Sequence, residues 1–326
     1  MFIRLLRTSY TMNHALIWLV ALILWIPGIT GTYPASVAAA APLYELILPA
    51  ITAVPWLSAI AGLLLLTGEA YLLNMVLADS GIIPRNSILA VFIYIVVMSA
   101  GPGLLSLHPL LFANLFVILS LRNILKIYTE EADYGLVFNS TFYIALASFF
   151  YVPYFYLIIF VWLTFIVYRL DHWREWIIAL TGMVVPYFLV AAMYFLFDRL
   201  VDFTEAIAPA FYFTLQIPSG QETAIVIVQS LVFILLLWSF LSTMKDLQEQ
   251  KIQIRKYIWG FVWLLVVMLF LFFFSEPGKA NYHLAVLALP SAMFISYHAL
   301  ARKKTWFFDF MILFVVVTAM IYNFTA

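Results

Sequence analysis

TFYIALASFFYVPYFYLIIFVWLTFIVYRLDHWREWIIALTGMVVPYFLVAAMYFLFDRL, residues 141–200, decides the fold. It carries most of three apolar runs, 136–151, 154–169 and 175–197. An uncharged turn at Pro153 separates the first two, and the loop RLDHWRE, with Arg169 and Arg174, separates the second from the third. A hydrocarbon core of about 30 Å is crossed by roughly 17–25 helical residues, so each run reads as a bilayer-spanning helix. The same reading extends outward to 13–30, 53–77, 86–102 and 108–125 before this stretch, and to 223–244, 257–274, 282–300 and 305–323 after it. The expectation is an all-α polytopic membrane bundle of about eleven transmembrane helices, one domain over residues 1–326.

Charge orients the bundle. Arg4 and Arg7 precede the first run, and alternate loops then hold Arg85; Arg122 and Lys126; Arg169 and Arg174; Lys245, Lys251, Arg255 and Lys256; and Arg302, Lys303 and Lys304. Only Arg199 and Lys279, of sixteen lysines and arginines, fall on the other side. Basic loops stay in the cytoplasm, so the N-terminus is expected inside and, after an odd number of spans, the C-terminus outside. The expected location is a bacterial inner membrane, with membrane lipids as the standing partner. The opening MFIRLLRTSYTMNHALIWLVALILWIPGIT lacks a small-residue cleavage site and reads as an uncleaved first helix.

Composition removes several function classes. Hydrophobic residues make up 66% and charged residues 10%, more apolar surface than a water-soluble chain of this length can hide. Net charge is zero, which leaves no case for nucleic-acid binding. There is no cysteine, hence no disulfide, thiolate metal site or thiol nucleophile. The five histidines are scattered without metal-ligand spacing, so no metal site is expected from them. The sequons at Asn139 and Asn323 are read as chance matches.

Two outer segments, 31–52 and 198–222, are too apolar to float in water and are expected to lie along the interface. They carry the acids that matter. Glu45, beside Tyr44, is the sole ionisable residue of the first. Asp198, Arg199, Asp202 and Glu205 open the second, and a helix over 198–206 would put Asp198, Asp202 and Glu205 on one face. A third outer loop, SEPGKANYH (275–283), combines Lys279, Tyr282 and His283, a cation and an imidazole suited to a lipid-linked phosphate. Glu69 lies well inside a span, where a carboxyl group faces the bundle interior and serves either as a relay or as a partner for a neighbouring helix. Asp309 sits one turn into the last run, within reach of Arg302 to Lys304.

Residues 138–189, with LADSGIIPRNSILAVFIYIVV (77–97) and HLAVLALPSAMFISYHALARKKTWFFDF (283–310), resemble a polytopic membrane family of Bacteroidota without an established activity. More distantly, FNSTFYIALASFFYVPYFYLII (138–159) is similar to the fifth-to-sixth helix region of C-type glycosyltransferases. That likeness implies a polyprenyl-phosphate sugar as donor and an active site at the periplasmic face, beneath interfacial helices. On it, Glu45 would be the catalytic base. Lys279, His283 and Arg199, with Tyr282 beside them, would hold the leaving phosphate. Asp198 or Asp202 would hold sugar hydroxyls or a divalent ion. The chain departs from the family in one respect: members carry acids immediately after the first span, whereas PGITGTYPAS follows here and Glu45 comes later. Two other readings stand beside it, a lipid or solute transporter that uses Glu69 and a non-catalytic membrane subunit of an envelope complex.

Overall fold

In the computed structural model, which describes residues 2–31, 41–129, 133–211, 223–274, 283–302 and 306–325, the chain is helical and, among those residues, has no β-strand. The helices run α1 (Phe2–Leu6), α2 (Thr11–Ile29), α3 (Tyr44–Ala53), α4 (Pro55–Asp79), α5 (Leu89–Met98), α6 (Pro109–Ile127), α7 (Tyr134–Ser148) and α8 (Leu157–Tyr168) in the first half. They continue as α9 (Trp173–Leu196), α10 (Leu200–Ile207), α11 (Thr223–Asp246), α12 (Ile252–Phe273), α13 (His283–Val286), α14 (Ala288–Ala301) and α15 (Trp306–Thr325). Seven of them, α2, α4, α6, α9, α11, α12 and α15, are long and apolar enough to cross a membrane. The protein is a membrane protein.

The remaining apolar runs fold into shorter helices, and their position explains it. Every residue of α5 is buried, and α14 is buried from Ala288 to Ala299. These two pack on one another at the centre, with α2, α4 and α15 against α5 and with α11 against α14. A helix that is apolar all round belongs inside, not facing lipid. At ten residues α5 spans only ~15 Å, and Gly101–Pro102 lies just beyond its end. Its sequence, LAVFIYIVVM, is rich in β-branched residues that favour strands in water. In an apolar core the helix wins because it satisfies the backbone within one segment.

The chain between α5 and α6 is non-helical over most of its length and largely buried, so its polar backbone groups need partners. Ser99 Oγ accepts from Trp25 Nε1 at 2.9 Å, and Asn323 Nδ2 donates to the carbonyls of Ser99 at 2.9 Å and Leu24 at 3.3 Å. Leu107 N–H donates to Ser58 Oγ at 3.2 Å, and its carbonyl accepts from Tyr44 Oη at 3.1 Å. Gly28 of α2 lets this segment approach, since a Cβ there would collide with the Leu105 carbonyl.

Long-range contacts sort into two ends of the bundle. At one end Leu6 O accepts from Ile88 N–H, Arg7 donates to the Ala299 and Arg302 carbonyls at the end of α14, and Arg302 pairs with Asp246 at 2.9 Å. Asp309 accepts from the Ile3 backbone N–H at 2.6 Å, which gives α1 an acidic group at its start. At the other end lie the Ser99–Leu107 segment, α3, the end of α7 and the α9–α10 turn. The residues at the first end belong to segments expected inside or to the adjoining ends of spans, and those at the second to segments expected outside or to the adjoining ends of spans.

Helix α9 crosses α7 at Gly182, where a Cβ would meet Thr141 Oγ1 and the Phe138 carbonyl, the kind of close backbone approach small residues allow between helices in lipid. Gly68 of α4 has open space instead. Gly182→Leu is therefore expected to destabilise the detergent-solubilised protein by about 1–3 kcal/mol or more, read as a lowered Tm, while Gly68→Leu leaves the Tm close to wild type. Equal Tm values for the two variants would contradict this packing.

Candidate functional site

The two apolar outer segments pack on one small core. Helix α3 is set by Tyr44, which is buried and bonded to Leu107 O, so the next residue, Glu45, faces outward and is exposed. Val54, extended at φ −138°, ψ 87° before Pro55, breaks α3 from α4. Just before α3, Leu43 N–H donates to Phe149 O at 3.1 Å, and Pro42 O accepts from Tyr194 Oη at 3.0 Å. Phe149, Tyr194 and Phe203 form a small separate core against which Leu43 and Ile207 pack. The Tyr194 and Phe203 rings stand 5.5 Å apart and clamp α10 onto α9.

This clamp places charges together. Arg199 Nε donates to Asp202 Oδ2 at 2.6 Å, an exposed ion pair. The hydrogen bond to Asp202 raises the Arg199 pKa, and the charge on Glu45 acts in the same direction. Glu45, Tyr194, Arg199 and Asp202 thus share one electrostatic neighbourhood, although more than 140 residues of chain separate Glu45 from the rest. Asp198 behaves otherwise. It takes the left-handed conformation, φ +55°, where α9 ends, and α10 begins only at Leu200. The expected helical face therefore starts at Asp202 and continues to Glu205, with Asp198 as the turn residue that re-aims the chain, a conformation Asp tolerates better than most side chains. Lys279 and Tyr282 lie outside the described residues, and His283 opens α13. Glu222, another of the outer acids, is also outside them.

Glu69 is fully buried in α4. Tyr94 Oη donates to its Oε2 at 2.7 Å, while Oε1 has no hydrogen-bond partner among the described residues. Tyr94 also lies against Asn114, whose Oδ1 accepts from Tyr154 Oη at 2.7 Å. Four helical segments, α4, α5, α6 and the 3-10 turn Val152–Tyr156, are thereby joined through one polar cluster in an apolar interior. The geometry fits the interhelical partner expected for an intramembrane carboxyl group.

The other titratable groups are dispersed. His14 sits between Ser9 Oγ at 2.9 Å and Tyr71 Oη at 2.8 Å, His298 lies on the Phe308 ring at 4.6 Å, and His108 is buried ahead of α6. Among the described residues no three His, Asp or Glu side chains converge to hold a metal ion. Asn323 is fully buried and bonded to two carbonyls, consistent with a chance sequon.

Sequence reasoning missed the tyrosines. Tyr94 is the one hydroxyl in an otherwise apolar run, a usable signal for a buried partner, but nothing in the run says which acid it meets. Tyr194 is one of many interfacial aromatics and carries no distinguishing mark. Tyr94→Phe removes the donor to Glu69 and is expected to cost about 1–3 kcal/mol of stability. The same change in a Glu69→Leu background should cost clearly less, a coupling that denaturation of the four variants measures.

No curated protein and no solved structure matches the chain. A family model does match, over residues 41–326, which takes in α3 to α15 and every charged residue of the outer cluster. The chain belongs to DUF6427, a family of unknown function.

Proposed function

We propose that the protein is an inner-membrane glycosyltransferase of about eleven spans, acting on a polyprenyl-phosphate sugar at the periplasmic face. One observation carries the reading: the small core of Phe149, Tyr194 and Phe203, with Tyr194 bonded to the Pro42 carbonyl, holds the segment that bears Glu45 beside the α9–α10 turn that bears Arg199 and Asp202. The sorting of cation-rich segments to one end and these segments to the other supports the orientation, and the short helices α5, α7, α8 and α14 stand where spans were expected.

In this reading Glu45 accepts the proton of the acceptor hydroxyl as its oxygen attacks the anomeric carbon. The bond from that carbon to the phosphate oxygen breaks, and the electron pair leaves with polyprenyl phosphate. Arg199, Lys279 and His283 offset the negative charge that develops there. Tyr282 and Asp202 orient donor and sugar hydroxyls, with Asp198 setting the turn that presents them.

A second reading, transport or proton relay through Glu69, is favoured by its Oε1, which has no hydrogen-bond partner among the described residues. In that case Glu69→Gln blocks uptake or lipid flipping in liposomes while Glu45→Gln does not.

The chain has no cysteine, so single introduced cysteines report topology without background. An impermeant maleimide is expected to label Thr204→Cys in spheroplasts and Glu249→Cys only after permeabilisation. The opposite pattern overturns the orientation. For the reaction, a deletion strain is expected to accumulate a polyprenyl-phosphate sugar by lipid mass spectrometry. Wild type should clear it and Glu45→Gln should not, with donor binding retained. Unchanged lipid-linked sugars in the deletion strain would refute the transferase and leave the transport and subunit readings.

A further inference from the structure

At the end of the bundle opposite the outer cluster, a groove of about 700 Å³ opens between α11, α14 and α15. From α11 it is lined by Trp238, Leu241, Ser242 and Lys245, spaced i, i+3, i+4 and i+7, so they form one stripe along a helix face. The stripe runs from an aromatic ring within the span to a cation in the last turn. Across the groove stand Trp306 and Phe307, and the Trp238 and Phe307 rings are 6.0 Å apart. Trp238 is 55% exposed and Trp306 73% exposed, so this is open aromatic surface and not core.

The charge in the groove has one sign. Lys245 and Arg302 line it, and no carboxylate does among the described lining residues. Arg302 spends one nitrogen, Nη2, on Ser242 Oγ and Asp246 Oδ2, both at 2.9 Å, which fixes the guanidinium at the mouth. Lys245 has no ion-pair partner among the described residues and is exposed. Lys303 and Lys304 follow Arg302 directly in sequence.

A held guanidinium, a free ammonium and an apolar aromatic channel leading away from them match an amphiphile with an anionic head. We propose that this groove binds an anionic glycerophospholipid, with the phosphate at Lys245 and Arg302 and an acyl chain along Leu241, Trp238 and Phe307. Basic pockets between helices on the cytoplasmic side recognise acidic lipid headgroups in this manner, and Trp306, at the start of α15, suits the membrane–water boundary. The inference is independent of the reaction proposed for the outer face.

Native mass spectrometry of the full-length protein titrated with phosphatidylglycerol or phosphatidylcholine tests it. Wild type is expected to retain phosphatidylglycerol preferentially, and Lys245→Glu to weaken that binding by about fivefold or more, since a cation at an anionic surface contributes on the order of a fivefold factor in affinity. Lys251→Glu, an exposed cation outside the groove's lining, should bind as wild type. Leu241→Glu, which puts a charge in the acyl channel, should also reduce retention. Equal losses from Lys245→Glu and Lys251→Glu, or no preference for phosphatidylglycerol in wild type, would overturn the proposal.

Discussion

A backbone amide in an apolar medium must find its partner within the protein, and the centre of this molecule is arranged around that requirement. The segment from Ser99 to His108 bonds to itself as a helix over one short 3-10 turn, Pro102–Leu104, and leaves other polar groups to find partners elsewhere. It is held by side chains sent from four other helices: Trp25 of α2, Tyr44 of α3, Ser58 of α4 and Asn323 of α15. These contacts let α5 be short, and a short α5 lets α14 pack beside it at the centre. The long helices then surround this pair and meet the lipid.

The same segment positions the outer cluster. Tyr44 is the first residue of α3, and its bond to Leu107 fixes the register of that helix. Glu45 is exposed because Tyr44 is not. On the far side Tyr194 and Phe203 tie α9 to α10 and reach back to Pro42. The charged rim is thus a by-product of two apolar anchors, and its geometry is only as firm as they are.

The long spans and the charge asymmetry were legible because the membrane imposes both. A bilayer sets a length, and the retention of cations on one side sets an alternation, and each is written along the chain without reference to packing. Helices α5 and α14 were not legible as short elements, because apolarity reports exclusion from water and says nothing about whether the neighbour is lipid or protein. Interfacial helices at α3 and α10 were foreseeable from segments too apolar for a loop. The role of Asp198 was not: acidic residues four apart suggest a helical face, while the left-handed turn that ends α9 depends on where α10 must dock. Glu69 announced itself by its cost in the membrane, but its partner on α5 is a matter of tertiary placement.

The contacts between the two chain termini bear on how the protein is made. Ile3 is bonded to Asp309 across 306 positions, Arg7 to Ala299, and Leu24 to Asn323. Helix α2 therefore spends the synthesis of the intervening chain without α15 beside it. At roughly 5–20 residues per second that interval is tens of seconds. During it, the polar groups of α2 that later meet α15 must be shielded by lipid headgroups, by the insertion machinery or by temporary contacts with α4. The seating of α15 against α2 is thus a closure step that follows the synthesis of everything between them, and without α15 the face of α2 that carries the Leu24 carbonyl stays open.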